Sequence, residues 1–204
     1  MTRPEPSGMV WLAVVLPVLL AGCAALETAD SGPGELDPPP QAVVLPLDEG
    51  TQAHHQAMRE ALSGKELEQA ETHHGRIAPQ HRHHPDVRAD RAVLARLNGN
   101  DDLAERLYQE VLVIEPGHPV AANDLALMAR EAGDMEESES LLLEALDVHP
   151  DRPRLHFNLA VLYELYLMDL AKALEHYRQY EASSGEPDER VSTWIQDLER
   201  RVEG

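Results

Sequence analysis

Apolar positions fall into three regimes along the chain. Residues 9 to 20, Met-Val-Trp-Leu-Ala-Val-Val-Leu-Pro-Val-Leu-Leu, form one short continuous run. Residues 24 to 49 show no periodic pattern. From about residue 51 onward, apolar side chains recur at helical spacing, and that pattern is itself repeated. Pro116 and Pro150 are 34 residues apart, as are Gly99 and Gly133. The same frame pairs Leu107 with Leu141 and Leu112 with Leu146, and it collects a column of small residues: Ala70, Ala104, Ser138 and Ala173. Carried forward, the frame meets Asp169 one residue late; carried back, it reaches Gly64 with one extra residue. After Pro187, Val191, Trp194, Ile195, Leu198 and Val202 fall on a single stripe, which predicts a terminal amphipathic helix.

The physical content of the repeat is a pair of short helices. Small residues belong where two helices nearly touch, and large apolar residues fill the gaps between neighbouring pairs. Gly99 and Gly133 end the first helix of a pair, where left-handed backbone is inexpensive for glycine. Pro116 and Pro150 stop the second helix, which a proline cannot continue. A hairpin of this kind has an apolar face that it cannot bury alone, so successive units stack. A 34-residue period with this pattern resembles the tetratricopeptide repeat. The stretch Phe157-Asn158-Leu159-Ala160-Val161-Leu162-Tyr163, followed by Asp169, Lys172-Ala173 and Tyr177, is the most typical. Residues 119 to 150 carry Leu125-Ala126, Ala129, Gly133-Asp134, Ser138, Leu142, Ala145 and Pro150. Residues 85 to 116 carry Ala92, Ala95, Gly99-Asn100, Ala104, Tyr108 and Pro116, with Arg91 where the family has Leu. The resemblance implies an all-α fold, with tetratricopeptide-repeat hairpins stacked as a right-handed superhelix, an α-solenoid with a C-terminal capping helix. The implied division is three repeats over 85–185, a degenerate first repeat or N-terminal cap over 50–84, and a capping helix over 186–204.

The first 49 residues concern address. Twelve apolar residues are too few to span a bilayer, which takes about 20, but they suit the apolar core of a signal peptide. Leu20-Ala21-Gly22-Cys23 resembles the bacterial lipobox. That resemblance implies a signal peptide over 1–22, lipidation of Cys23 and a palmitate-bearing membrane anchor. Ala24, in place of the Asp that retains such lipoproteins in the inner membrane, implies an outer membrane location facing the periplasm. Residues 23–49 read as the lipidated cysteine and a tether: they hold five prolines and six acids with no Lys or Arg. At ~3.1 Å per residue such a segment reaches roughly 80 Å. Cys23 is the only cysteine, so no intramolecular disulfide is available.

Charge narrows the partner class. With 37 acidic residues against 17 basic, the net charge is −20. This acidity argues against nucleic-acid binding, because neutralising phosphates needs clustered Lys and Arg. No nucleophile elbow, phosphate loop, zinc-protease motif or dinucleotide fingerprint is present, so no enzyme is expected and no cofactor is implied. Histidine is the one concentrated chemistry. Seven of the eleven lie between residues 54 and 84, which makes His73, His74, His81, His83 and His84 candidate ligands for Zn, Ni or Cu in an alternative, metal-binding reading.

In tetratricopeptide proteins the first helices of the pairs line a concave surface that holds a partner's peptide or helix. Carried over by the repeat frame, the inner positions are Ala89, Val93 and Arg96, then Asn123, Leu127 and Arg130, then Phe157, Val161 and Glu164. Arg96 and Arg130 stand one repeat apart and suit carboxylates of an extended ligand, while Phe157 is the candidate anchor. The expectation is a non-enzymatic scaffold or assembly factor in the bacterial envelope that binds another envelope protein through its concave face. It resembles the pilotins of type IV pilus biogenesis and the repeat-containing subunit of outer-membrane β-barrel assembly machinery.

Overall fold

The computed structural model describes residues 44–203; Cys23, the apolar run before it and most of the proline-rich stretch lie outside the described residues. Nine α-helices occupy the described part: α1 Glu49–Ser63, α2 Leu67–Arg76, α3 Pro85–Leu97, α4 Asp101–Ile114, α5 Pro119–Ala132, α6 Met135–Val148, α7 Pro153–Leu162, α8 Leu170–Ser183 and α9 Glu189–Glu203. They pack as four consecutive antiparallel hairpins, α1–α2, α3–α4, α5–α6 and α7–α8, and α9 lies against α8. Among the described residues there is no strand, and no helix is long and apolar enough to cross a membrane.

Local chemistry explains where each helix begins. Pro85, Pro119 and Pro153 each occupy the first helical position of α3, α5 and α7, where a missing N–H costs nothing. The second helices open on Asn100, Asp134 and Asp169. These side chains accept from the amides of Leu103, Glu137 and Lys172 at 3.2, 3.0 and 3.1 Å, caps worth ~1 kcal/mol each. α4 and α6 end two residues before Pro116 and Pro150.

The turns between paired helices correct the alignment of the first unit. The left-handed residue in each turn is Lys65, Gly99, Gly133 and Met168, with φ of 57, 76, 88 and 57°. Lys65, not Gly64, is therefore the counterpart of Gly99; Gly64 is right-handed, at φ −78°. With that shift the first unit fits the 34-residue frame without an insertion. Within the fourth unit, between α7 and α8, the extra residue is real. It is absorbed by a π-helical turn, Tyr163–Leu167, that extends α7 before Met168 reverses the chain. The signature bond of the turn shows this directly. Asn100 and Asp134 donate their amides to Ala95 and Ala129, five residues back, whereas Asp169 donates to Tyr163, six back.

The core runs through the hairpins as the repeat demands. Ala70, Ala104, Ser138 and Ala173 are all buried at the helix crossings. One cluster joins the first two hairpins around Met58, Ile77, Val87 and Leu94. A second centres on Tyr108 and Val111, and a third runs from Leu142 and Leu146 through Leu155, Leu159 and Leu162 to Tyr177. Val191, Ile195 and Leu198 of α9 complete that last cluster and cover an apolar face that no further hairpin buries.

Candidate functional site

First helices of neighbouring units touch one another, α1 with α3 and α5 with α7, along one inner wall. Side chains stitch that wall diagonally across units. The His55 imidazole meets Asp90 at 2.7 Å, linking α1 to α3. Arg96 donates to both carboxylate oxygens of Glu131 at 2.8 Å, linking α3 to α5. The Asn158 amide donates to Asn123 Oδ1 at 2.5 Å, linking α7 to α5. All three pairs join residues 35 positions apart, one repeat plus one residue.

Behind this ladder sits a buried acid. Asp124 accepts from the Tyr108 hydroxyl at 2.8 Å and from the Asn123 amide at 2.8 Å, and it lies 3.6 Å from Arg154. Burial and the Asp124 carboxylate push the Tyr108 phenol far above its ordinary pKa, so it remains a donor. Two wall pairs keep the acid inside and the cation outside, while Arg96–Glu131 is reversed, its side chains 23% and 63% exposed. The side chains of Asp90 and Asp124 are only 13% and 11% exposed, whereas their partners Arg59 and Arg154 are 69% and 72% exposed. On a chain of net charge −20, the wall at Asp90 and Asp124 turns cations toward solvent and keeps those two carboxylates inside.

The residues read from the repeat frame take different places. Leu127 is half-buried on α5, with no part in the three core clusters. Val93 and Val161 are half-buried too, but pack against core clusters at the unit junctions, and Ala89 is fully buried. Arg96 is occupied by Glu131, and Arg130 lies over the Tyr166 ring at 5.4 Å. Asn123 is buried within the ladder. Phe157 is not an isolated anchor: its ring packs on Tyr177, Tyr180 and Trp194 at 6.0, 5.3 and 6.3 Å, which ties α7 to the capping helix. Glu164 likewise belongs to the cap, accepting from Tyr177 at 3.0 Å and pairing with Arg201 of α9 at 3.3 Å. Asp90, Asp124, Arg154 and Asn158 are wall residues that the frame alone did not single out. Their signal was the spacing, since Asp90 and Asp124 share a column.

The histidines proposed as metal ligands do not converge. His81 is held by Asp48 at 2.9 Å, His84 caps α3, His83 accepts from Arg88, and His73 faces His54 at 3.5 Å. His74 pairs with none of these; burial, then Arg91 and Arg82, lowers its pKa. Among the described residues no group of three or more His, Cys, Asp or Glu side chains could hold a metal ion.

A second imidazole pair lies in the last hairpin. His156 donates through Nε2 to the Pro150 carbonyl at 2.8 Å, which leaves its Nδ1 to accept from His176 at 3.1 Å. Burial first, and the His156 ring second, lower the His176 pKa below the ordinary imidazole value. The unfolded chain therefore binds this proton before the folded one does, and stability falls as the pH drops below about 6.5. The loss of urea midpoint between pH 7.5 and pH 5.5 is expected to be smaller in His176→Gln than in the native chain. An equal loss in both would contradict this assignment.

No protein-family description matches the chain, and no curated protein does. Solved structures do match. The chain is similar to PilF of Pseudomonas aeruginosa at 23% identity and a TM-score of 0.65, over 76% of this chain and 70% of that one. It is also similar to MamA from Desulfovibrio magneticus RS-1 at 14% identity and a TM-score of 0.55, covering 78% and 88% of the two chains. A further MamA structure, from AMB-1, matches at 14% identity and a TM-score of 0.54 over 74% and 82%. The fold is thus a tetratricopeptide α-solenoid.

Proposed function

We propose that this chain is a non-enzymatic adaptor that holds a partner protein of the bacterial envelope along its inner wall. The observation that carries the reading is the arrangement of that wall. Arg59 and Arg154 are solvent-facing over the largely covered carboxylates of Asp90 and Asp124, and Asn123 and Asn158 form an amide ladder between units. An extended segment bearing carboxylates suits such a surface. Its acids meet the arginines, and its main chain meets the amide groups of the half-buried Asn158 that the ladder leaves unused. Arg96 can join when a ligand carboxylate takes the place of Glu131, an exchange of like for like, and Arg130 when a ligand carboxylate draws it off the Tyr166 ring. The lipobox at Cys23 supplies the address: an acyl anchor in the outer membrane, with the solenoid on the periplasmic side. Two or more acyl chains make such an anchor stable.

The test is a crosslinking pull-down from native envelope, with the full lipoprotein beside Arg154→Glu/Asn158→Ala and Cys23→Ser. A discrete protein should come down with the native form and be lost with the wall variant. Cys23→Ser should leave the membrane fraction while keeping its inner-wall affinity in solution. If the wall variant captures the same protein in the same amount, the adaptor surface lies elsewhere.

A further inference from the structure

Between the second helices α4 and α6 and the end of α5, the outer face opens into a groove of about 590 Å³. Its floor is apolar: Leu112, Leu125, Met128, Ala129 and Leu141. Val113, at one end, is 83% exposed. Its rim is acidic, with Asp101 and Glu105 on α4 and Glu137 on α6, beside a Glu131 already paired with Arg96, and no Lys or Arg is part of the lining.

The next junction along the solenoid shows what fills such a groove. One repeat on from Ala129 and Ala132 stand Tyr163 and Tyr166. Tyr163 is buried there, and its hydroxyl donates to Glu139, the counterpart of Glu105, at 2.5 Å. Lys172 lies 4.7 Å from the centre of that ring and 3.6 Å from Glu139. In the frame corrected for the π-turn, Lys172 is the counterpart of Glu137. The filled junction thus contains an apolar ring, an acid and a cation, all from this chain. The open groove has alanine in place of the ring, keeps the acid and has a second acid in place of the cation. Glu105 and Glu137 have no cationic partner among the described residues.

We infer that this outer groove is a docking site for a basic amphipathic helix, which supplies the bulky side chains and the cations that the neighbouring junction obtains from its own sequence. α4 and α6 are each 14 residues long, about 21 Å at 1.5 Å per residue, a length that matches four turns of a bound helix. Apolar side chains at i, i+3, i+4 and i+7 enter the floor, and Lys or Arg on the flanks meet Glu105 and Glu137. The inner wall and this groove therefore select partners of opposite charge.

The probe is an 18-residue model helix of Leu and Lys with a single apolar stripe, titrated by fluorescence anisotropy into the full chain. A Leu and Glu peptide of the same pattern is the control. The native chain should bind the Lys peptide one to one and ignore the Glu peptide. Ala129→Tyr fills the groove as Tyr163 fills the next one and leaves the charge unchanged; it should weaken binding at least tenfold. Ala132→Tyr is a second filling variant, read if the first does not fold. Glu105→Lys/Glu137→Lys should abolish binding, while Arg154→Glu/Asn158→Ala on the inner wall should leave it intact. Equal binding by the native chain and both filling variants would show only attraction to a chain of net charge −20, and would overturn the proposal. So would failure of the native chain to bind, or loss of binding in the inner-wall variant.

Discussion

Leu159→Ala is expected to lower stability by about 2–5 kcal/mol, the range for truncating a fully buried leucine. Leu159 is completely buried at the junction of the third and fourth hairpins, in the cluster that also takes in Leu142, Tyr177 and Leu198 of the capping helix. A void there separates units whose only support is each other, since a solenoid is held by nearest-neighbour interfaces. The loss should therefore appear first in one place. Amide exchange in α7, α8 and α9 should accelerate more than in α1 and α2, and thermal unfolding should begin earlier and broaden. Leu165→Ala is the control. That leucine is 62% exposed within the π-turn, and its truncation should stay within ~0.5 kcal/mol. Equal destabilisation by the two variants, or uniform acceleration of exchange, would contradict this packing.

Asp124→Ala is the second large effect, and it works through a hydroxyl rather than a cavity. Tyr108 is completely buried, and Asp124 is its hydrogen-bond acceptor. Removing the carboxylate strands a buried donor, which costs about 1–3 kcal/mol. It also releases Asn123 and Arg154 from the ladder. Asp124→Asn keeps an acceptor and should recover much of the loss. Tyr108→Phe/Asp124→Ala removes donor and acceptor together, so urea unfolding of the double variant should show less destabilisation than the sum of the singles. Strict additivity would mean that the hydroxyl and the carboxylate do not depend on each other.

The repeat was legible in the sequence because its punctuation is chemically restrictive. Few residue types serve at the first position of a helix, in a left-handed turn or at a close helix crossing, so Pro119, Gly133 and Ala104 announce themselves. The first unit was misaligned by one residue for the same reason. Gly64 looked like the turn glycine, while the left-handed residue is Lys65, and a lysine there has no signature. Met168 is a second such case, and the extra residue before Asp169 gave only a count, with no sign that a π-turn would absorb it.

The site was legible by column and not by partner. The frame put Arg96, Asn123 and Arg130 on the inner wall, yet Arg96 is taken by Glu131 and Asn123 is buried between Asp124 and Asn158. Pairs 35 residues apart join neighbouring columns, so the 34-residue period carries no sign of them. Phe157 looked like an exposed anchor because the three aromatic rings that meet it, Tyr177, Tyr180 and Trp194, come from two later helices. The histidines were close in sequence, but two helix ends and a 3₁₀ turn at Pro79–His81 send them to separate partners.

The most direct test of the inner wall is photo-crosslinking in native envelope, with a photoreactive phenylalanine analogue placed singly at Val93, Leu127 and Val161 on the wall and at Gln179 on α8. The account predicts that one discrete protein is captured from at least two of the three wall positions and not from Gln179. Capture from Gln179 alone, or equal capture from every position, would contradict it.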